Sequence, residues 1–397
     1  MERKAILVIA AAALTVLIST GIRQSFGIFL APVSESLGTG RELFSLAIAV
    51  QNLIFGLPLI GIIADRVGSR AVVVVGGLLY VVGLVLMPLT VSAAGLFGSL
   101  GVLVGLALSG TTYVVVLGAV AQVVAPEKRT RTFGIITATG SAGMFVVPPI
   151  AQWLLSSFAW QGAFVGLAGL ALGMIGLAFW LPNRPVGAGA GVVDESFLTV
   201  LNRARRHSGY LLLIAGFFVC GFHVSFIATH LPAFLTDNDL PPEVGGWALA
   251  LIGVANIFGS YTFGRLGDRY RKKYLLSFLY ASRAVVITLF LVVPLTTASA
   301  LIFGTVIGFL WLATVPLTSG TVAQIFGVRY LSTLYGIVFL SHQVGAFLGV
   351  WLGGRVFDAT GSYQPVWLIA VGLSLFAALV HTPISDAPLV RAETQAA

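Results

Sequence analysis

Arg23 is the residue whose position most needs a chemical explanation, because it lies inside a long apolar segment that begins near Ala5. It stands nine residues before Pro32, which is about 13 Å along a helix at 1.5 Å per residue. If this segment crosses a membrane, a guanidinium at that depth costs about 2.5–3.5 kcal/mol on insertion scales, and it should face a polar cavity. Thr15 and Ser19 are eight and four residues earlier and share its helix face.

The sequence offers this cation no partner of opposite charge. All 14 acidic residues lie in predicted loops, at helix ends or in the terminal tails. A buried cation without a protein counter-ion indicates that an anionic ligand supplies one. In the alternative interpretation Arg23 is structural and reaches toward the membrane surface or bonds backbone carbonyl groups. Arg283, ten residues after Lys273, is a secondary candidate, either for the ligand or for a bridge between helices.

Other polar and aromatic residues in apolar segments are candidates for the walls of the same cavity. With Arg23, the predicted binding set comprises Gln24, Tyr113, His223, Asn256, Trp311, His342 and Gln343. Side chains of these types also form hydrogen bonds between membrane helices, so each has a structural alternative. His223 and His342 are in addition candidates for carrying a proton, with His230 as a third, because an unperturbed imidazole titrates near pH 6.5.

The elements that must position these residues are membrane helices. Of the 397 residues, 58% are hydrophobic and only 9% are charged, whereas a soluble domain has about 25% charged residues. Apolar runs long enough to cross about 30 Å of hydrocarbon recur along the chain, without the alternation of a membrane barrel. We predict twelve spans, numbered in chain order: 5–31, 43–63, 71–91, 95–124, 133–156, 162–183, 209–235, 244–263, 274–296, 299–326, 333–356 and 364–382.

The basic residues are unevenly distributed between the two sides of the membrane. With both termini in the cytoplasm, 18 of the 22 lysines and arginines fall on the cytoplasmic side, and only Arg41 and Arg355 fall on the opposite side. This asymmetry predicts cytoplasmic N and C termini. It also accounts for the net charge of +8 without nucleic acid as a partner. The single cysteine, Cys220, cannot form an internal disulfide.

The chain repeats itself with an offset of about 202 residues. The loop after span 2 returns after span 8, as Gly61-Ile-Ile-Ala-Asp65-Arg66-Val-Gly68-Ser-Arg70 and then Gly264-Arg-Leu-Gly-Asp268-Arg269-Tyr-Arg271. Paired halves around a site at mid-membrane depth are typical of secondary transporters. We predict an N-terminal six-helix bundle (1–183), a cytoplasmic linker with a short basic interfacial segment (184–208), a C-terminal six-helix bundle (209–383) and a cytoplasmic tail (384–397).

The repeated motif resembles that of the major facilitator superfamily, over almost the full length of the chain. The resemblance implies an all-α polytopic membrane protein of twelve transmembrane helices in two pseudo-symmetric bundles, which rock around a central site. It also implies a cytoplasmic gate built from Asp65, Arg66 and Arg70, with Asp268, Arg269 and Arg271 as counterparts. Ordinary positive-inside anchors, the alternative for these residues, would need no fixed spacing of glycine and aspartate.

Within that family the sequence is similar to the bacterial monocarboxylate and oxalate/formate branch. The similar segments are Ser25-Phe26-Gly27-Ile28-Phe29 in span 1, Phe44-Ser45-Leu46-Ala47 in span 2 and Ser341-His342-Gln343 in span 11. Span 5 lacks the Gly-Pro-x-x-Gly-Gly ending of many drug/proton antiporters. Where characterised monocarboxylate carriers have an acid and an arginine in span 8 and a lysine in span 1, this chain has Asn256, Ser260 and Gln24.

The sequence contains no signature of catalysis. It has no Gly-Lys-Ser/Thr phosphate loop, no paired carboxylates and no cluster of histidine and cysteine at metal-ligand spacing. We therefore expect a transporter rather than an enzyme, with no cofactor and no metal.

The predicted function is secondary active transport of a small organic anion by alternating access, with a monocarboxylate such as lactate or pyruvate as substrate and proton symport as the coupling. A monomer in the bacterial inner membrane is expected. Three alternatives stay open: an exporter of hydrophobic or zwitterionic compounds by drug/proton antiport, an anion exchanger of the oxalate/formate type or a uniporter, and a membrane sensor that does not transport. A weak-acid substrate that brings its own proton would need no histidine carrier.

Overall fold

The computed structural model describes residues 3–57, 60, 63–64, 67–89, 92–121, 123–124, 126–183, 202–326 and 331–387. Ten helical stretches within these ranges are long and apolar enough to cross a membrane. One of them, 135–178, contains both span 5 and span 6, and the described part of span 2 is the shorter helix Arg41–Phe55. The described residues therefore contain a helix at each of the twelve predicted spans.

The helices of the N-terminal half lie at the predicted spans, although the described helix of span 2 ends at Phe55 instead of 63 and that of span 5 begins at Pro126 instead of 133. They are Arg3–Ser25, a 3₁₀ turn Phe26–Phe29 and Leu30–Ser36 (span 1), Arg41–Phe55 (span 2), Ser69–Leu89 (span 3), Ala93–Leu96, a π-helical segment Phe97–Leu103, Val104–Thr111 and Tyr113–Ala121 (span 4), and Pro126–Ala178 (spans 5 and 6).

The helices of the C-terminal half agree similarly with the predicted spans. They are Ser208–Asp237 (span 7), Pro242–Gly267 (span 8), Lys272–Val292 (span 9), Thr297–Phe309 and Thr314–Phe326 (span 10), Leu331–Thr360 (span 11) and Gln364–His381 (span 12).

Span 1 is longer than predicted, because it continues past Pro32 to Ser36 through a 3₁₀ turn. Pro32 is tolerated since it lies in the first turn of the helix Leu30–Ser36, where a missing N–H costs no helical hydrogen bond. Arg23 therefore lies 13 residues from the outer end of span 1, well inside this helical segment.

Spans 4 and 10 each contain a break that hydropathy does not reveal. Span 10 is interrupted between Phe309 and Thr314. Pro316 explains this, because its ring crowds the carbonyl of Leu312 and it has no N–H to donate to it. Span 4 is interrupted at Thr112, which has extended backbone angles and whose hydroxyl group donates to the carbonyl of Leu108 at 2.7 Å.

Spans 5 and 6 are joined by a tight reversal at Phe158 and Ala159. Both residues have non-helical angles, and Ala159 has a φ of 53°. Gly166 of span 6 packs directly against Leu154 of span 5, which requires the chain to fold back on itself. The two spans are therefore an antiparallel helical hairpin.

The two halves meet along three pairs of spans: 1 with 7, 2 with 11, and 5 with 8. Glycines bring the helices together at these seams. A Cβ atom on Gly27 would come within 2.1 Å of the carbonyl oxygen of Ala228, and one on Gly253 within 2.6 Å of the backbone of Met144. Small residues at such crossings permit close packing of membrane helices.

Ion pairs join the halves on the outer side, by which we mean the side opposite the predicted cytoplasmic termini. Arg41 Nη2 donates to Asp237 Oδ1 at 2.5 Å, and Arg355 Nη1 donates to Glu42 Oε2 at 3.0 Å. The carboxylate of Asp358 accepts the backbone N–H groups of Arg41 and Glu42 at 2.8 and 2.7 Å. We call these five residues the outer clamp. The outer clamp holds the two halves together on this side.

Candidate functional site

A small polar cavity lies where spans 1, 2 and 7 meet, between the two halves. Its volume is about 20 Å³, which is room for about one water molecule. We call it the central cavity. The polar side chains that line it are Arg23 and Gln24 of span 1, Gln51 and Asn52 of span 2, and Ser225 and Thr229 of span 7.

Arg23 is the charged residue of the central cavity. Its Nη2 donates to Asn52 Oδ1 at 2.7 Å, and the guanidinium carbon lies 5.5 Å from the centre of the Phe55 ring. None of the ion pairs between described residues involves Arg23. An amide oxygen is a neutral acceptor, so the positive charge of Arg23 is solvated in part but not neutralised by the described chain.

Three polar atoms beside Arg23 are buried without a hydrogen-bond partner among the described residues: Gln24 Nε2, Gln51 Oε1 and Ser225 Oγ. The amide of Gln51 is held in place because its Nε2 donates to the carbonyl of Leu100 at 2.8 Å. An unsatisfied buried polar group costs about 1–3 kcal/mol. A ligand or water in the central cavity would satisfy these atoms.

The central cavity is closed toward the outer side by direct backbone contact. Gly27 lies one helical turn beyond Arg23, and it touches the carbonyl of Ala228 so closely that no side chain would fit. The outer clamp lies beyond this crossing. A ligand in this conformation therefore has no passage to the outer side along spans 1 and 7.

Asn256 and Trp311 do not line the central cavity. Asn256 joins the halves, because its Nδ2 donates to Ser141 Oγ at 3.2 Å and its Oδ1 accepts the N–H of Leu312 at 3.0 Å. Trp311 lies in the break of span 10 and is 1% exposed. Both residues therefore contribute to the packing of span 10 in this conformation.

Neither Tyr113 nor Gln343 lines the central cavity. Tyr113 is half-buried, and its hydroxyl group packs against Gly140 of span 5. Gln343 packs against Gly56 of span 2, across the seam, and its Oε1 has no partner among the described residues.

The predicted polar face of span 7 is turned into the C-terminal half instead of toward the central cavity. His223 Nε2 donates to the carbonyl of Ala370 at 2.8 Å, and His230 Nε2 donates to that of Val350 at 2.8 Å. The physical reason is that buried imidazoles are stabilised by carbonyl acceptors, which spans 11 and 12 supply. His223 thus lies outside the central cavity.

His342 is buried between aromatic rings in span 11. It stacks on Phe339, with ring centres 5.7 Å apart and planes within 6°, and its Nδ1 has no partner among the described residues. Phe339 meets Phe55 of span 2 edge-on at 5.8 Å. Since Phe55 also contacts the guanidinium of Arg23, two aromatic rings connect His342 to Arg23.

Arg283 is 1% exposed and bridges spans 9 and 10. Its Nη2 donates to the carbonyl oxygens of Leu310, at 2.6 Å, and of Trp311. Both carbonyls belong to the break in span 10, where no helical N–H is available to them. Arg283 does not line the central cavity, and its contacts are those of the structural bridge.

The predicted inner gate is only partly within the described residues, since Asp65 and Arg66 lie outside them. Arg70 Nε donates to the carbonyl of Leu181 at 3.0 Å, which ties span 3 to the end of span 6. Asp268 and Arg269 are exposed at the inner end of span 8. The gate remains a prediction. The linker residues 184–201 and tail residues 388–397 also lie outside the described chain.

Arg271, the remaining predicted gate residue, is occupied within its own half. Its Nη2 donates to Asp386 Oδ1 at 2.6 Å, and this hydrogen bond lowers the pKa of the Asp386 carboxyl group. Lys273 adds a hydrogen bond to the carbonyl of Ile384 at 2.8 Å. The segment after span 12 is therefore fastened to the inner end of span 9.

Ser225 and Thr229 are not among the site residues predicted from the sequence. They are small polar residues four positions apart and share one face of span 7, which was the available signal. The outer clamp had no such signal, because its pairs join residues 196 to 317 positions apart in the chain.

A polar cavity enclosed between the N-terminal and C-terminal membrane helices is typical of a transporter built from structural repeats. The family model of the Major Facilitator Superfamily matches residues 12–311 and 213–396. The chain belongs to the Major Facilitator Superfamily. It is a multi-pass membrane transporter and not an enzyme, as predicted.

Relatives from animals and bacteria match along most of the chain. It is 25% identical over 358 residues to monocarboxylate transporter 13 of Rattus norvegicus, covering 88% of this chain and 82% of the relative. It is 26% identical over 388 residues to the uncharacterized MFS-type transporter YcxA of Bacillus subtilis (strain 168), covering 90% of each.

Solved structures of transporters share the fold. The nucleoside transporter NupG superimposes with a TM-score of 0.76 at 15% identity, over 94% of this chain and 98% of its own. The D-xylose-proton symporter gives 0.75 at 14% identity, over 96% and 97%. The predicted all-α fold of twelve helices is thereby confirmed.

Proposed function

We propose that the protein transports a small organic anion, a monocarboxylate such as lactate or pyruvate, and that Arg23 binds its carboxylate. The observation that carries the proposal is the uncompensated charge of Arg23 on the central cavity, where Asn52 supplies a neutral amide oxygen. Relatives named monocarboxylate transporters support the substrate class.

The atoms around Arg23 are suited to a carboxylate. Gln24 Nε2 and Ser225 Oγ are unpartnered donors, and the guanidinium can bind both oxygens of a carboxylate at once. The unpartnered Gln51 Oε1 would accept a hydrogen bond from a substrate hydroxyl group. Because the central cavity has a volume of about 20 Å³, it must widen before a substrate of this size enters, as alternating access requires.

We propose proton symport as the coupling, with His342 as the first candidate carrier and His223 as the second. His342 is favoured because Phe339 and Phe55 connect it to Arg23, whereas His223 Nε2 is engaged by the carbonyl of Ala370. The same proposal includes cytoplasmic termini, a bacterial inner membrane, a monomer and the inner gate at Asp65, Arg66 and Arg70.

Uptake of radiolabelled lactate, pyruvate and oxalate into proteoliposomes, with and without an inward proton gradient, tests the proposal. The wild type should show saturable uptake of at least one acid. Arg23→Gln should reduce uptake by at least about tenfold, since an Arg–carboxylate contact contributes about 1.5–3 kcal/mol. Arg206→Gln is the matched control, because Arg206 is exposed outside the predicted spans.

The outcomes of this comparison distinguish an anion site at Arg23 from the alternative functions. Loss of uptake in the Arg23 variant alone supports the anion site. Full uptake of the acids by Arg23→Gln contradicts the anion site. Efflux of lipophilic cations by Arg23→Gln and Arg206→Gln, without any flux of the acids, also contradicts the anion site and would identify an exporter. Exchange of oxalate for formate at a rate that does not depend on the proton gradient would indicate antiport, instead of symport, at the same site.

A further inference from the structure

A second cavity lies between spans 5 and 8, at their outer ends and away from the central cavity. Its volume is about 190 Å³. Gln152, Trp153 and Ser156 line it from the N-terminal half, and Glu243, Gly246 and Trp247 line it from the C-terminal half. We call it the outer groove. It is built from both halves and depends on the contact between them.

Ser156 Oγ of the outer groove donates to the carbonyl of Trp153 at 3.0 Å, whereas Glu243 and Gln152 have no such partner among the described residues. Glu243 is exposed and forms none of the ion pairs found between described residues. Gln152 is only 8% exposed, and its side-chain amide forms none of the hydrogen bonds found within the described chain. Gln152 has a buried amide with one acceptor and two donors, and Glu243 has a free carboxylate. Together they can bind a group that carries an ammonium.

Two tryptophans complete this site. Trp153 is 59% and Trp247 52% exposed, one from each half. An indole face attracts a cation within about 6 Å of its centre, and each indole N–H is a donor. The outer groove thus combines a negative charge, two cation-binding faces and several donors, which is the complement of a headgroup with an ammonium and a phosphate.

The outer groove lies near the outer ends of spans 5 and 8, where a lipid headgroup would be expected. Trp153 is five residues before the reversal at Phe158, and Trp247 is five residues after the start of span 8 at Pro242, so each lies about 7.5 Å from its helix end. Exposed apolar side chains continue inward from the outer groove on the same helix faces, namely Val146 and Ile150 on span 5 and Phe258 on span 8. An acyl chain would lie along these faces.

We propose that the outer groove binds a phospholipid with a primary ammonium headgroup, such as phosphatidylethanolamine, from the outer leaflet. Glu243 and Gln152 Oε1 hold the ammonium between Trp153 and Trp247, and Gln152 Nε2 and an indole N–H donate to the phosphate. Because the site needs both halves in contact on the outer side, the bound lipid stabilises the conformation in which the outer side is closed. The proposal does not rest on the identity of the transported substrate.

Thermal unfolding of the delipidated full-length protein in detergent, with defined lipids added back, tests this inference. Phosphatidylethanolamine should raise the Tm in a saturable manner, and phosphatidylglycerol with the same acyl chains should not. Glu243→Gln and Trp247→Leu should each require about tenfold more phosphatidylethanolamine for the half-maximal shift, as expected for loss of one contact to a charged group. Trp180→Leu is the matched control, since Trp180 is an equally exposed tryptophan far from the outer groove in the chain.

Three results would overturn the inference. The first is an equal response of the Glu243 and Trp247 variants and the wild type to phosphatidylethanolamine. The second is an equal response of the wild type to phosphatidylglycerol. The third is protection by soluble phosphoethanolamine that matches the lipid at equal concentration, which would identify a site for a soluble zwitterion. If a variant unfolds before lipid is added, Gln152→Leu is used in its place. The amount of phosphatidylethanolamine that remains bound per protein after purification is then measured.

Discussion

The two candidate proton carriers, His342 and His223, differ in their contacts. His342 stacks on Phe339, and Phe339 meets Phe55, which lies against Arg23. His223, by contrast, is fixed by a hydrogen bond to span 12. These contacts are the reason why we propose His342, rather than His223, as the first candidate proton carrier.

The first residue-scale prediction concerns His342→Gln. Glutamine keeps the size and hydrogen bonding of the imidazole but does not titrate, so accumulation of substrate driven by a proton gradient should fall to the level reached without a gradient. Exchange of internal for external substrate should continue, because it needs no net proton movement. Counterflow and gradient-driven uptake in proteoliposomes measure the two activities.

The matched control for this prediction is His223→Gln, which removes a buried imidazole of the same half and should keep gradient-driven accumulation. If His342→Gln still accumulates substrate against a gradient, His342 is not the carrier. If both variants do so, the substrate brings its own proton.

The sequence was informative about Arg23 and uninformative about span 7 for a physical reason. An arginine in an apolar segment, with every acid outside the spans, is visible in any single sequence because charge in hydrocarbon is costly. Span 7 is buried on nearly all sides, so no exposed face sets its rotation. The histidines of span 7 were expected to face the central cavity. Because they pack against spans 11 and 12, Ser225 and Thr229 face the central cavity instead.

At the scale of elements, the break in span 10 is held from two sides. Arg283 of span 9 donates to the carbonyls of Leu310 and Trp311, while Asn256 of span 8 accepts the N–H of Leu312. These contacts satisfy backbone groups that the missing helical turn leaves open. In a membrane no water replaces such partners. Arg283 is thus a positioning residue for the element that carries Trp311.

We predict that Arg283→Met destabilises the protein, because each orphaned carbonyl costs about 1–3 kcal/mol. The free energy of unfolding, measured by denaturant titration in mixed micelles, should fall by that order. Arg283→Lys should recover part of the loss, since an ammonium can still donate to one carbonyl. Val285→Met, at an exposed position of the same span, is the control. Equal stability of Arg283→Met and Val285→Met would show that the carbonyls do not depend on Arg283.

Sequence reasoning predicted the elements well and their interruptions poorly. Length and hydropathy reveal a membrane helix because the bilayer sets the number of apolar residues. Pro316 was the visible sign of the break in span 10, but a proline in the first turn of a new helix and one that kinks a continuous helix look the same in the sequence. In span 4, the break at Thr112 has no proline beside it, and hydroxyl groups that bond their own helix are its only sign.

At the scale of the whole molecule, the outer clamp joins the two halves on the outer side of the central cavity. Arg41 is held by Asp237, by Tyr363 Oη at 3.0 Å, and by the ring of Phe357, whose centre is 3.9 Å from its guanidinium carbon. Its side chain is 12% exposed and that of Asp237 27%. A partly buried bidentate pair is stronger than an ordinary surface ion pair. Opening the outer side requires these contacts to break.

Asp237→Asn therefore tests the balance between the two states of the transporter. Loss of the charge should weaken the closed outer side by about 1 kcal/mol, which is about fivefold in the ratio of the two states. A cysteine introduced as Ser225→Cys reports the change, because Ser225 lines the central cavity and the native Cys220 is fully buried. A membrane-impermeant thiol reagent added from outside should label this cysteine about fivefold faster in the Asp237 variant.

Asp239→Asn is the matched control: it removes an equal charge two residues away and should leave labelling unchanged. Labelling that rises equally in both variants would mean that the net charge of the outer surface, rather than the outer clamp, sets the equilibrium.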